Sequence, residues 1–355
     1  MIIYFIVLVI VLFLTFLDVS FGIKKNTKLK KELVVLFGFF FILFAGLRWE
    51  TGTDWENYNY FFNTIKQFPI GKTGFEFLFE ILARIVQGIF VNYHFMLLFT
   101  AFIIITLTYN TVYKFSPYPI LSIFLLYTYS LNSSGFGYRQ DIAIAICFFS
   151  VLFIYQRRLI PFLVSITIAF FFHQSALIFL PAYWIFKIKW NIKFVILLVG
   201  ASILMYLIFS KIEPLVNLFF GSSAYKLERY ATEFEGSTRG IIISILNRVI
   251  IILIPLLIIS TNKNKNTHFI KSIFNIILLG TIMYLILSPL GTVFTRLTRY
   301  YDIFQIVLLP CSLLLANKNE KLVYFSFILL YYIFKFVVVI LTDPHLFVPY
   351  QSDLF

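Results

Sequence analysis

Long apolar runs separated by short polar clusters set the pattern of this chain. They lie near 2–21, 33–47, 95–113, 119–134, 141–155, 159–172, 176–186, 194–210, 241–260, 272–290, 303–316 and 322–341. A helix that crosses a bilayer needs about 20 mostly apolar residues. Several of these runs are shorter, so they predict membrane spans without fixing tilt. Residues 159–186 also read as one long helix kinked around His173. No internal repeat or low-complexity linker interrupts the series. The pattern predicts one integral membrane domain over 1–355, with outer loops at 48–94 and 211–240.

Composition narrows the class. Of 355 residues, 61% are hydrophobic and 13% charged, whereas soluble domains run near 45–50% apolar and about 25% charged. This excludes a soluble single-core enzyme, a single-anchor receptor and a β-barrel. The expectation is an all-α polytopic membrane protein with about twelve transmembrane helices. Cys147 and Cys311 lie inside apolar runs and read as packing residues rather than a disulfide or a metal site. The first run has its basic cluster after it, the reverse of a cleavable signal peptide. It reads as a retained span with the N-terminus outside.

The net charge of +13 is a topology signal here rather than a sign of nucleic-acid binding, because Lys and Arg collect in cytoplasmic loops. With the N-terminus outside, sixteen positive residues face the cytoplasm against Asp18, Glu32 and Glu320. The outer side then holds thirteen positives and thirteen acids, so the whole net charge falls inside. One segment resists this scheme. Residues 75–91 carry Glu76, Glu80 and Arg84 at four-residue spacing, on one helical face. Counting them as a span would turn most lysines outward. They are predicted to form an interfacial or re-entrant helix on the outer surface; the alternative is an ordinary span whose Glu–Arg face packs inward.

Arginine departs from lysine. Fourteen of nineteen lysines fall inside, but eight of ten arginines fall outside: Arg48, Arg84, Arg139, Arg229, Arg239, Arg248, Arg296 and Arg299. Orientation alone needs any cation. Guanidinium adds permanent charge and a rigid fork that fits phosphate, and a cation at or in the membrane marks a functional site by default. The inference is an outward-facing anion site for phosphate or pyrophosphate.

Four constellations surround these arginines. Residues 45–62, AGLRWETGTDWENYNYFF, bring Arg48, Gly52, Asp54, Glu56 and Tyr58 together. Acids there suit a base or a metal, or only a solvated loop anchored by Trp49 and Trp55. Residues 132–146, NSSGFGYRQDIAIAI, open a helix with Tyr138, Arg139, Gln140 and Asp141, and a helix N-terminus already favours anions. The bland reading is that Asp141 caps the helix while Arg139 meets lipid headgroups. In residues 170–184, His173 and Ser175 interrupt a strongly apolar stretch. A buried His is more often structural than catalytic, yet this one sits at a helix turn near the outer surface. Residues 291–302, GTVFTRLTRYYD, place Arg296 and Arg299 three apart beside Tyr300 and Asp302, suited to a diphosphate or to an interfacial belt. The 211–240 loop, with Arg229 and Arg239, is mixed in sign and reads as a solvated lid or connection. There is no Walker loop, dinucleotide fingerprint, HExxH or GxSxG motif. Any reaction must use an activated substrate or a gradient.

Together these segments resemble the EpsG family, a Wzy-like group of bacterial polysaccharide polymerases. The match runs through Gly46-Leu47-Arg48, Gly52-Thr53-Asp54 and Tyr58, then Arg139-Gln140 with Ala143, then His173 with Ser175-Ala176, and ends at Arg296, Arg299 and Tyr300. Trp55 stands where Tyr is the commoner residue. The resemblance implies a GT-C-like glycosyltransferase that joins undecaprenyl-diphosphate-linked oligosaccharides, donor and acceptor, on the outer face of the bacterial cytoplasmic (inner) membrane. A flippase and a chain-length regulator are the expected partners beside membrane lipid, and no nucleic acid. On that reading Arg139, Arg296 and Arg299, with Arg48 in support, bind the diphosphate. His173 or Asp54 takes the acceptor's proton, and Tyr58, Gln140, Tyr300 and Asp302 position substrate. No cofactor and no metal are expected. The alternatives are an O-antigen-ligase-like transferase with the same donor chemistry and a lipid-linked oligosaccharide flippase or other transporter.

Overall fold

In the computed structural model, the described residues are 2–21, 27–51, 54–132, 139–189, 193–206, 238–261, 267–288, 292–342 and 350. Among them the chain is helical, without strands. Five helices are long and apolar enough to cross a membrane: Ile2–Ser20, Tyr93–Phe115, Ile243–Ser260, His268–Leu287 and Lys318–Thr342. Their outward surfaces are apolar as well. Ile2, Val9, Phe13 and Phe16 are each more than half exposed on the first helix, and Leu322, Val323, Leu330 and Phe334 on the last. Water does not tolerate apolar surface of that extent, and lipid does. The protein is thus an all-helical chain built for a membrane.

The residues form two compact units, Met1–Leu180 with Ala316–Phe355, and Pro181–Leu315. The first unit contains α1 (Ile2–Phe21), α2 (Thr27–Gly46), α3 (Trp55–Thr64), α4 (Phe77–Ile89), α5 (Tyr93–Phe115), α6 (Pro119–Asn132), α7 (Arg139–Tyr155), α8 (Leu159–Phe172) and the helix Lys318–Thr342. Its centre is α6, buried on all sides at Ile120, Leu121, Ile123, Phe124 and Leu125. A helix apolar all round belongs inside, and α1 and Lys318–Thr342 pack on this one. Lipid tails are as apolar as Leu, so close packing rather than exclusion of water holds such helices together. At Gly46 α2 comes so near α5 that a Cβ would stand 2.5 Å from Leu98 Cδ2. Polar ties finish the unit. Asp18, fully buried in α1, accepts the Ile120 amide at 2.9 Å and so caps α6 from 102 residues away. Lys321 Nζ donates to the Val19 carbonyl at 3.1 Å, and Lys30 Nζ to that of Ser116 at 3.0 Å.

The second unit is arranged around His268–Leu287, which packs on Thr238–Thr261, on the turns at Arg299–Asp302 and on Gln305–Leu315. Asn275 Nδ2 donates to the carbonyls of Ile185 and Ile188 at 3.0 and 2.9 Å, closing the end of the short helix Ala182–Ile185. At Gly280 a Cβ would overlap Tyr301 Cβ, so glycine lets the broken segment lie against this helix.

Two expected spans take a different form. The run at 176–186 is a 3-10 turn, Gln174–Phe179, followed beyond Pro181 by Ala182–Ile185. It adds no straight helix, because α8 stops at Phe172 and His173 is extended, with φ −159° and ψ 120°. The run at 303–316 is the 11-residue helix Gln305–Leu315, preceded by the short turns 292–295, 296–298 and 299–302. A mid-helix 3-10 stretch marks strain or a functional hinge, and this one holds Arg296. The 75–91 segment contains a 13-residue helix, about 20 Å long and too short for a hydrocarbon core of about 30 Å. Its polar face turns inward: Glu80, Ala83 and Gln87 are buried, while Phe77, Ile85 and Ile89 are exposed. Residues 207–237, with Arg229, lie outside the described residues, as does the side chain of Arg239.

Asp18→Ala is expected to strand the buried Ile120 amide at a cost of about 1–3 kcal/mol, visible as a lower thermal unfolding temperature in detergent. Asp18→Asn keeps an acceptor oxygen and should recover most of that loss.

Candidate functional site

The best-defined polar cluster in the first unit forms where the segment before α4 meets the start of α7. The segment's shape starts at Gly71 and Gly74, which have φ of +79° and +78°, a region that glycine occupies without steric cost. Glu80 then gathers the turn. It accepts from the Gly71 amide at 3.2 and 3.1 Å, from Thr73 Oγ1 at 2.8 Å and from Arg84 Nη2 at 2.7 Å. Arg84 Nη2 also donates to the Phe68 carbonyl at 2.8 Å. Gln87 Nε2 donates to the Phe62 carbonyl at 2.6 Å, tying α4 to α3. Burial by itself would raise the Glu80 carboxyl, but the hydrogen bonds from Arg84, Thr73 and the Gly71 amide outweigh it and hold the group below the usual carboxylate range.

The turn delivers Phe75 and Glu76 to Arg139. Glu76 stands just before α4 with φ −67° and ψ 147°, so its side chain leaves the face that carries Glu80 and Arg84. Arg139 Nη1 donates to Glu76 Oε2 at 2.6 Å, and Arg139 Nε donates to the Tyr58 hydroxyl at 3.2 Å. The guanidinium carbon lies 4.9 Å from the centre of the Phe75 ring. Phe61 packs on Phe75 at 4.0 Å between centroids, which fixes that ring. Arg139 is thus held by a carboxylate, a phenol and an aromatic face, and its side chain still keeps 29% of its surface exposed. It opens α7, where the helix dipole adds positive potential. The result is a fixed, accessible cation suited to an anion.

The other expected residues of this unit have distinct settings. Arg48 is buried, within electrostatic reach of Tyr350; burial pushes that phenol up to about 12, and the Arg48 charge pulls the other way. Tyr350 donates to the Phe44 carbonyl at 2.7 Å and stacks on the Phe44 ring at 5.0 Å. Asp54 is exposed at the start of α3 and makes no side-chain capping bond there. Trp49 stacks on His94 at 4.6 Å and meets Trp55 at 5.7 Å. His173 Nδ1 lies 2.6 Å from Ser175 Oγ and accepts from the Ser175 amide at 3.4 Å, capping the 3-10 turn that follows. Because α8 runs back along α7, His173 and Arg139 share one end of that helix pair. Gln140 is half-buried beside Arg139. Gly52, Thr53 and residues 133–138 lie outside the described residues, as does the side chain of Asn132.

In the second unit Arg296 is exposed, Arg299 half-buried and Tyr300 fully buried. Asp302 accepts from Arg248 Nη2 at 2.5 Å and from Thr298 Oγ1 at 3.1 Å. Arg248 also donates to Thr298 Oγ1 at 2.9 Å and lies 3.6 Å from the Tyr284 ring centre. Arg48 and Arg139 therefore belong to one unit, Arg296 and Arg299 to the other. Sequence reasoning set Glu76 on the wrong face and gave Arg248 no specific role. The signal for Arg248 was present, since an arginine within an apolar helix demands a partner. The signal for Glu76 was not, because it depends on where α4 begins. Among the described residues, no three His, Cys, Asp or Glu side chains group as a metal would need.

A family model, that of the EpsG family, matches residues 31–352. No curated protein and no solved structure matches the chain.

The depressed Glu80 carboxyl stabilises the turn above its unfolded value near ~4.3, and that contribution is lost as pH falls through the folded value. Glu80→Gln should lower the thermal unfolding temperature at neutral pH and flatten its decline below roughly pH 5. An unchanged acid slope in the variant would remove Glu80 from this role.

Proposed function

The chain belongs to the EpsG family, and from that premise we propose that it is a polysaccharide polymerase joining undecaprenyl-diphosphate-linked repeat units on the outer face of the bacterial cytoplasmic membrane. Family membership supports a Wzy-like polymerase at the coarse level, and the apolar helices support a membrane location. The finer reading is a GT-C-like scaffold of about twelve crossings, some built from broken pieces. The observation that carries it is the braced, half-exposed Arg139 at the head of α7.

The reaction needs no nucleotide, because a polyprenyl diphosphate sugar is already activated. The acceptor's terminal hydroxyl oxygen attacks the donor's anomeric carbon. The bond from that carbon to the phosphate oxygen breaks, and lipid diphosphate leaves with the electron pair. Negative charge grows on the leaving oxygen, and preorganised donors aimed at it lower the barrier. Arg139 has that character; Arg48, Arg296 and Arg299 are assigned to diphosphate binding on their sequence motifs. The hydroxyl proton passes to His173 or Asp54. Tyr58 accepts from Arg139 and is assigned to substrate positioning. Gln140, Tyr300 and Asp302 complete the positioning set, with Asp302 acting through Arg248. The positive charge comes from guanidinium groups, and on this proposal no metal is required.

Lysine retains charge but loses the fork. In a purified polymerisation assay, Arg139→Lys and Arg299→Lys should each reduce turnover on the order of ten- to a hundredfold. Near-normal turnover in both would overturn the diphosphate assignment. Deletion in cells should accumulate single-repeat lipid-linked units; full-length lipid-linked chains would identify a ligase instead, and repeat units held on the cytoplasmic leaflet a flippase.

Excess chelator should leave polymerisation intact. Loss of activity restored by Mg²⁺ or Mn²⁺ would replace the metal-free mechanism.

A further inference from the structure

The carboxylate at Arg139 poses a problem for any anion that binds there. Glu76 Oε2 stands 2.6 Å from Arg139 Nη1, and the Glu76 side chain is only 12% exposed. Its position does not follow from α4, whose inward carboxylate is Glu80, satisfied by Arg84, Thr73 and Gly71. Glu76 is instead presented by the turn before that helix, and it pairs with Arg139. A diphosphate reaching Arg139 must displace this carboxylate or lie beside it. Either course costs free energy, since like charges a few ångströms apart repel strongly where water is partly excluded.

We infer that Glu76 is a positioning residue that sets how tightly Arg139 holds the lipid diphosphate, and so how fast that product leaves. The inference rests on the diphosphate reading above. A transferase that releases lipid diphosphate at every turn is slowed when its cation cluster holds product as firmly as the transition state, because binding energy is useful only where it is larger in the transition state. Glu76 supplies a resident counter-charge. It keeps Arg139 oriented across Tyr58 and Phe75 while the site is empty, yields when substrate arrives, and competes for the guanidinium when product departs. No covalent step is assigned to it.

The test separates charge from shape. Glu76→Gln keeps an acceptor of the same size and removes the charge, whereas Glu76→Asp keeps the charge. Binding of farnesyl diphosphate, a short polyprenyl diphosphate, to the purified full chain in detergent is measured by calorimetry beside steady-state kinetics. Glu76→Gln should bind the probe about tenfold more tightly, with a lower KM for the lipid-linked donor, a lower kcat and stronger inhibition by lipid diphosphate. Glu76→Asp should stay near wild type, and Arg139→Ala should lose the binding. If Glu76→Gln does not fold, Glu76→Ser carries the same expectation. Unchanged or weaker binding by the neutral variants, with Arg139→Ala still defective, overturns the role of Glu76 and leaves the diphosphate reading standing. Wild-type binding by Arg139→Ala, or none by wild type, overturns the diphosphate reading itself.

Discussion

An ionised side chain in an apolar surrounding must find an opposite charge or a set of dipoles, and the described helices are organised by that need. Asp18 meets the amide at the head of α6. Glu80 meets Arg84 and the turn before α4. Arg139 meets Glu76, and Arg248 meets Asp302. Packing without the help of water exclusion gives the helices their contacts. The polar pairs then settle which turn faces which helix, because a wrong pairing leaves a charge stranded.

The two arginine clusters answer that need differently. Arg248 lies about 15 Å into its helix, stacked on Tyr284 and bound to Asp302 and Thr298. These contacts make it a brace for the broken segment 292–315, whose 3-10 turn displays Arg296. Arg139 sits at a helix end, paired but accessible, with charge, dipole and a phenol already in place. Fixed dipoles cost no reorganisation when charge develops, which gives such a site chemical value beyond simple binding.

The 75–91 segment shows how a pattern can be correct and its interpretation incomplete. Three charges at four-residue spacing suggested one polar face on an interfacial or re-entrant helix, or on a span that packs that face inward. The helix buries Glu80 and turns Phe77 and Ile89 outward, and Glu76 falls one residue outside it. A buried carboxylate inside and apolar side chains outside reverse the soluble pattern, and the buried charge is met by Arg84, Thr73 and the Gly71 amide. The expected span at 176–186 is broken at Pro181. The run at 303–316 keeps one short helix, Gln305–Leu315, with the 292–302 turns before it.

Composition and the spacing of apolar runs already determined a helical membrane protein, and the separation of arginine from lysine raised the expectation of an anion site. The ordered motifs around Arg48, Arg139, His173 and Arg296 carried the family resemblance. These properties are local, so they survive in one dimension. Partner choice does not. Arg139 meets Glu76 across 63 residues and Tyr58 across 81, and Arg248 meets Asp302 across 54. Periodicity fixes a side chain's angle about its own helix axis and leaves open which neighbour lies on that side. Only the tertiary packing supplied that neighbour, and with it the difference between Arg248, enclosed by Asp302, Thr298 and Tyr284, and Arg139, paired with Glu76 yet still accessible.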